Sequence, residues 1–545
     1  MKIRRLAILV LLAGTLSSCG GGGSSSGTGT VYTPPASTGG STSGWVSGVF
    51  KAASSFKDRC KLVRTGLDSE GNAFTDKSGT TTDEKNWLRS WTHETYLWNT
   101  EVRDVNPELS TTATATYFTY MKTDALTGSG KAKDSFHFSE PTADYLSRRN
   151  SAASAGYGAQ FVVISDTVPR NVRVLYTEPG SPAEAVDGGQ KNLNRGTQIL
   201  SVNGIDLVYG GLTQADVDTL NKGLFPQNAG ITTNFVVRDP GAITNRAITL
   251  TSTNLSEKPV NRTRLLTDDA GNKVGYILFN TFSPFSSERE IVDAMTDMQT
   301  ANVKDLILDL RYNGGGLLAV ASELSYMVAG NTQTAGRVFE KLRFNNGTDG
   351  VDPVTGQPNT PVPFYNSGLG FSVSSGTPLP SLNLNRVFVL TTQSTCSASE
   401  SVINSLRGIG VEVIEIGDTT CGKPYGFYPQ DNCGTTYYSI QFQGVNDLGF
   451  GDYADGFTPV NATSAQGVKL PGCQIVDDYE HELGDSTEGL LAAALTYRAS
   501  ASCPAAAMIA SSRAQTSRLS VSSSPALKGP DQWIMDTNRD MTMRR

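Results

Sequence analysis

Three stretches of this chain carry residue types suited to acyl-transfer chemistry. Thr395-Cys396-Ser397-Ala398-Ser399-Glu400 offers a hydroxyl at a loop-to-helix junction, and Lys423 follows 26 residues after Ser397 in Cys421-Gly422-Lys423-Pro424. Upstream, the apolar run Asp305 to Leu310 leads through Arg311 into Tyr312-Asn313-Gly314-Gly315-Gly316. A serine hydroxyl needs a neighbouring base to take its proton. A lysine serves as that base when an apolar site disfavours its ammonium form. Glycines tolerate backbone angles that turn N–H groups towards a developing oxyanion, and the Ala398 N–H beside the nucleophile would be a second donor. Nucleophile, base and oxyanion donors together imply a serine hydrolase.

Other assignments of the same chemistry stay open. The chain has only three histidines, His93, His137 and His481, none beside a nucleophile-like elbow, and no candidate serine sits in a GxSxG pattern. A Ser-His-Asp triad assembled in space is unsupported rather than excluded. Ser399 is the second candidate nucleophile. The Cys396 thiol is a third, weakened because exported cysteines tend to pair.

The elements that would position these residues alternate between strand and helix. Lys273 to Phe279 reads as a strand, Ser287 to Met298 as a helix, Asp305 to Leu310 as a strand and Leu317 to Val328 as a helix. Arg386 to Leu390, the helix after Ser399, and Val411 to Ile416 repeat the pattern, which implies an α/β core with parallel pairing. Before this core, Asp83 to about Tyr145 shows aromatic residues at near-helical spacing (Trp87, Leu88, Trp91, then Tyr117, Phe118, Met121), read as a packed helical face with His93 as a structural histidine.

Whole-chain properties narrow the function classes. At 545 residues, 38% hydrophobic and 18% charged, the chain is long enough for two to four domains around a large core. A net charge of -7 gives no electrostatic argument for nucleic acid. Met1 to Arg5 is a positive n-region and Leu6 to Leu16 a short apolar run. Leu16-Ser17-Ser18-Cys19 then supplies the small residues and cysteine of an export signal. It resembles a bacterial lipobox, which implies lipidation at Cys19 and, with Gly20 following, an outer-membrane lipoprotein facing the periplasm or the cell exterior. A plain signal peptide is the alternative. Six further cysteines in an exported chain favour disulfides, and Cys421 with Cys433, which flank a short segment, is the expected pair. No cysteine or histidine cluster has zinc-ligand spacing, so neither a metal nor another cofactor is expected.

Two resemblances add to this reading. Gly156-Tyr157-Gly158-Ala159-Gln160-Phe161 enters a strand, Pro179 to Ala185 reads as a turn opening a helix, and Arg195 to Gly204 gives a strand ending in an Asn-Gly turn. That order resembles a PDZ domain. The resemblance implies that Tyr157, Gly158, Ala159, Gln160 and Phe161 bind a peptide's terminal carboxylate through backbone N–H groups. A PDZ fold that only props or gates the core is the blander alternative. The combination of D-L-R-x-N-x-G-G, S-A-S-E and G-x-x-T-x-G-K resembles the C-terminal processing peptidases, also called tail-specific proteases. It implies a crotonase-like core, with Ser397 as nucleophile, Lys423 as general base, the N–H groups of Gly315 and Ala398 as oxyanion hole, and Glu400 supporting the lysine or the helix start. Many members carry a glutamine four residues after the lysine, where this chain has Phe427. Tyr425, Gln430 and Asp431 are then candidates to orient the lysine.

The organisation so expected is a leader over 1–19, a flexible Gly/Ser linker over 20–55 and a helical region over 56–151. A PDZ domain over 152–258, a peptidase core over 259–505 and a peripheral or disordered tail over 506–545 follow. The expected function is endoproteolysis of unfolded or C-terminally exposed polypeptides, with membrane attachment through the lipid. The rival is a lipid-anchored peptide-binding protein on a degenerate core.

Overall fold

The computed structural model describes residues 44–504, apart from 69–70, 110–111, 152, 269 and 348–349, and again 541–542. The expected leader with Cys19 and most of the expected linker lie outside the described residues, as does the expected tail except Met541–Thr542. Within the linker's expected range the chain is already docked by residue 48. The Gly48 N–H donates to Asp104 (2.7 Å), the Ala53 N–H donates to Glu94 (2.8 Å), and Phe50 stacks on His93. Trp45 and Phe50 are half-buried while Val46 and Val49 stay exposed, and the Val46 and Val49 carbonyls accept from Arg89.

Helix α1 (Thr81–Thr95) starts with a capping box, in which Thr80 and Asp83 each accept the other's backbone N–H. Its buried face carries Trp87, Leu88 and Trp91, and the stacked tryptophans pack with Phe118 and Tyr437. The helical reading of Asp83 to Tyr145 holds only in part. Between α1 and α3 (Thr142–Ser151) the described residues hold one short α-helix, α2 (Thr114–Phe118), a 3-10 turn at Asn99–Glu101 and a short strand at Phe138–Pro141, joined by turns. This stretch is rich in Thr, Gly, Lys and Asp without a sustained apolar period.

Residues 159–251 form an antiparallel sheet with one helix. Strands β1 (Ala159–Ser165), β2 (Asn171–Thr177) and β3 (Gln198–Val202) precede α4 (Gln214–Leu224), and β4 (Thr232–Arg238) and β5 (Arg246–Thr251) follow. The order is β5-β4-β3-β2-β1, so β1 is an edge strand. Asn203 and Gly204, both at positive φ, turn β3 back onto Ile205–Asp206. The helix expected after Pro179 is absent. Pro179 to Ala185 is a turn, and α4, unmarked in the sequence reading, is the helix of this sheet.

The larger sheet is built from β6 (Val260–Thr267), β7 (Lys273–Phe279), β8 (Asp305–Asp309), β9 (Arg386–Thr391), β10 (Glu412–Gly417) and β11 (Gly472–Gln474). They lie side by side in that order. Only β6 runs antiparallel to its neighbour. Alternate residues face two cores. Ile277, Leu306, Leu308, Val387, Val389 and Val413 pack on α5 (Ser286–Thr300), α6 (Leu318–Thr334) and α7 (Ala398–Gly408). Tyr276, Ile307, Phe388, Leu390 and Ile414 pack on α8 (Gly489–Ser500). Burial on both faces explains why these strands read as continuous apolar runs rather than alternating ones.

Candidate active site

Strands β8, β9 and β10 are parallel neighbours, so their carboxyl ends open at one edge of the sheet. The three motif turns leave from those ends. Ligand sites in open α/β sheets favour this edge. The turns are bonded to one another at several points. The Leu310 N–H donates to Leu390 O (3.0 Å) and the Thr395 hydroxyl to Leu310 O (2.8 Å). The Cys396 N–H donates to Asn313 O (3.0 Å) and the Cys421 N–H to Thr395 O (3.0 Å).

Ser397 sits immediately before α7 at φ 62°, ψ -117°, a conformation that non-glycine residues adopt only when their surroundings enforce it. Its Oγ is buried and makes no hydrogen bond. The Ser399 hydroxyl, by contrast, donates to Asn313 O (3.0 Å), which ties it to the glycine turn. Of the two serines, Ser397 has the hydroxyl left over for chemistry.

Glu400 is fully buried and collects donors from both flanking turns. Its Oε2 accepts the N–H groups of Ser397 (2.9 Å) and Lys423 (2.8 Å); its Oε1 accepts the Gly422 N–H (2.8 Å) and the Thr420 hydroxyl (2.5 Å). Burial pushes its pKa above the usual carboxylate range, although these four donors pull it back. Its carboxylate thus braces the backbones of Ser397 and Lys423 together.

Lys423 is fully buried. Its Nζ lies 4.4 Å from the Phe427 ring centroid and 4.9 Å from that of Phe136, so an aromatic ring occupies the place where a glutamine was expected. Phe136 comes from the region before α3, which is therefore part of the site. Of the other candidates, Asp431 pairs with Arg64 (3.2 Å) and accepts from Thr142, Gln430 pairs with Tyr437 in a short hairpin, and the Tyr425 ring packs on Trp98.

Gly315 (φ 106°) and Gly316 (φ 131°) occupy backbone space closed to other residues. A Cβ on Gly315 would stand 2.7 Å from Ser397 Cβ and 3.0 Å from Ala398 N. The glycine turn therefore lies directly against Ser397. Ala398 N–H belongs to the first turn of α7, whose donors have no intrahelical acceptor. The Gly315 N–H donates to Asn313 Oδ1 (2.9 Å), so serving an oxyanion as well requires sharing that donor or turning Asn313 aside. Behind the turn, Arg311 is ion-paired with Asp309, Asp477 and Glu488, and Asp477 also holds Arg195 of the smaller sheet and the Tyr312 hydroxyl.

Residues 273–427, from the start of β7 to Phe427, match the profile of Peptidase family S41. The carboxyl-terminal-processing protease of Picosynechococcus sp. is 29% identical over 252 residues, 46% of this chain and 50% of that relative. The chloroplastic C-terminal processing peptidase of Tetradesmus obliquus is 27% identical over 296 residues, 52% and 55%. These similarities support a C-terminal processing peptidase of family S41, with the family match confined to residues 273–427. It spans about half the length of the curated relatives it matches. A solved structure of a Bacteroides fragilis NCTC 9343 protein assigned to the S41 proteases shares the fold. The TM-score is 0.56 at 24% identity, covering 76% of this chain and 97% of that one.

The three histidines have other partners. His93 stacks on Phe50, His137 is buried against Phe118 and bonded to its carbonyl (2.8 Å), and His481 pairs with Asp478 (2.7 Å). The Tyr157 and Phe161 side chains are buried in the core of the smaller sheet, while Gly158, Ala159 and Gln160 are half-buried. Gly158 (φ 75°) closes on Ser181, where a Cβ would stand 2.1 Å from Ser181 Cβ.

The expected Cys421–Cys433 disulfide is not formed. Cys396 pairs with Cys421, Cys60 with Cys433 and Cys473 with Cys503. Closeness in sequence misled here, because adjacent strand ends bring Cys421 beside Cys396 and place Cys433 against the N-terminal region. Cys396, Cys421 and Glu400 also cluster at metal-ligand spacing, but bonded sulfurs offer no thiolate to an ion.

Proposed function

We propose that the chain is a serine-type endopeptidase that cleaves unfolded or C-terminally exposed polypeptides through a Ser397–Lys423 dyad. The observation that carries this is the convergence of the Ser397, Lys423 and Gly315 turns at three adjacent parallel strand ends, with Glu400 bracing two of them. Ser397 Oγ attacks the scissile carbonyl carbon while its proton passes to neutral Lys423. The oxyanion of the tetrahedral intermediate takes hydrogen bonds from Ala398 N–H and, as Asn313 yields, Gly315 N–H. Lys423 returns the proton to the departing amine, leaving an acyl-enzyme that water hydrolyses by the same exchange in reverse.

On this reading the core is crotonase-like, residues 56–151 are the helical N-terminal region, and residues 152–258 are a PDZ domain that captures the substrate's free C-terminus. The exposed edge of β1 supports strand addition there, with the positive-φ Gly158 turn at its start. The paired state of all six cysteines among the described residues supports an oxidising, exported location. Lipidation at Cys19 would tether the enzyme to the outer membrane.

One observation favours the alternative of a peptide-binding protein without turnover: Ser397 Oγ makes no hydrogen bond. Catalytic hydrogen bonds are often loose before substrate arrives, so we place this reading second. Digestion of an unfolded protein, with a free and with a blocked C-terminus, separates the two. Peptidase activity predicts cleavage by the wild type, none by Ser397→Ala, and slower cleavage of the blocked substrate. Binding without cleavage by the wild type would establish the alternative.

A further inference from the structure

Cys396 directly precedes the nucleophile and Cys421 stands two residues before the lysine, and the two are joined by a disulfide across 25 residues of sequence. This bond links the end of β9 to the end of β10, the two turns that the proposed reaction must hold in register. Glu400 provides the non-covalent half of the same clamp, accepting Ser397 N–H on one side and Gly422 and Lys423 N–H on the other. Ser397 also holds a backbone conformation that relaxes unless its neighbours enforce it. The Cys396 N–H bond to Asn313 and the Cys396 sulfur bond fix the residue just before it.

We propose that Cys396 and Cys421 are positioning residues of the dyad, their disulfide setting the Ser397–Lys423 geometry so that its reduction suppresses turnover without unfolding the chain. The proposal rests on the dyad reading above. The fold contributes a route for reduction. Cys396 is buried while Cys421 is half-buried, so an incoming thiolate reaches the Cys421 sulfur and expels Cys396 as the leaving thiolate. With a dithiol as reductant, its second thiolate then attacks the mixed disulfide and releases Cys421. Two electrons pass from the dithiol, which becomes a cyclic disulfide, and the two cysteine thiolates take up the protons. Glu400 keeps its four donors in either state, so the two turns stay joined but less tightly.

The test uses the full chain and an unfolded protein substrate. Wild type, Cys396→Ser with Cys421→Ser, and Cys473→Ser with Cys503→Ser are compared with and without dithiothreitol in the presence of a chelator, with thiols mapped by alkylation and mass spectrometry. Misplaced reacting groups predict kcat lower by about 10- to 100-fold in the Cys396/Cys421 variant, with KM within about twofold. Dithiothreitol should bring the wild type down to the same level, leave that variant unchanged, and be reversed on reoxidation. The Cys473/Cys503 variant should keep wild-type kcat. Wild-type kcat in enzyme whose Cys396 and Cys421 are mapped as thiols overturns the proposal. That readout decides the matter even where the double variant fails to fold. Turnover retained by Ser397→Ala or Lys423→Ala would instead overturn the dyad itself.

Discussion

Ser397 and Lys423 donate their backbone N–H groups to the same carboxylate oxygen, Oε2 of Glu400, at 2.9 and 2.8 Å. These two residues, 26 apart in sequence, thus share one buried acceptor. The arrangement gives Glu400 a role in geometry rather than in proton transfer, because its oxygens are already taken by four donors.

Glu400→Gln tests that role. The amide keeps the shape but offers one acceptor oxygen in place of two, leaving buried donors unpaired at about 1–3 kcal/mol each. The expected outcome is a fall in kcat of about tenfold or more with a lower melting temperature, measured on the purified variant. A variant with wild-type kcat would show that the brace does not set the dyad.

Phe427→Leu asks what the aromatic ring 4.4 Å from Lys423 Nζ contributes. Leucine retains the apolar volume, so stability should fall by less than about 1.5 kcal/mol. Turnover should fall about tenfold if the ring fixes the lysine's position, a fractional loss larger than any change in KM.

Much of this site is visible in the sequence, and what is hidden is non-local. The alternation from Lys273 onward locates β7 to β10, and the residue types at Ser397, Lys423 and Gly315 suggest the chemistry proposed for them. Nothing in the spacing says that β8, β9 and β10 lie side by side, which is what assembles the three turns. Phe136 could not be assigned to the lysine for the same reason, as it lies almost three hundred residues upstream. The cysteine pairing failed on sequence distance. Helix α4 carries only a weak sequence signal, because its buried apolar positions, Val217, Leu220 and Leu224, are few among polar neighbours.

Gly315→Ala probes the contact between the glycine turn and Ser397. An added Cβ would stand 2.7 Å from Ser397 Cβ at a φ of 106°, so either the turn or the serine must move. A displacement of that size predicts loss of about 100-fold or more in kcat/KM, read against a control for folding by circular dichroism.

His137 predicts an acid limit to stability. Burial lowers its imidazole from 6.5 to about 4, the nearby Asp134 carboxylate opposing this only in part. The folded state therefore favours the neutral ring. The resulting stability is complete above pH 6.5 and is lost as pH falls through about 4. The full contribution is about 3 kcal/mol. Thermal melts of wild type and His137→Gln across this range should converge towards the acid end, and parallel curves would contradict the assignment.

The most direct measurement of the central claim is the intact mass of the enzyme after brief exposure to a serine-acylating ester, with the adduct mapped by peptide sequencing. The account predicts one acyl group on Ser397 in the wild type, none in Ser397→Ala, and acylation slower by at least about 100-fold in Lys423→Ala, where the proton acceptor is gone. Acylation at Ser399, or an undiminished rate in Lys423→Ala, would contradict it.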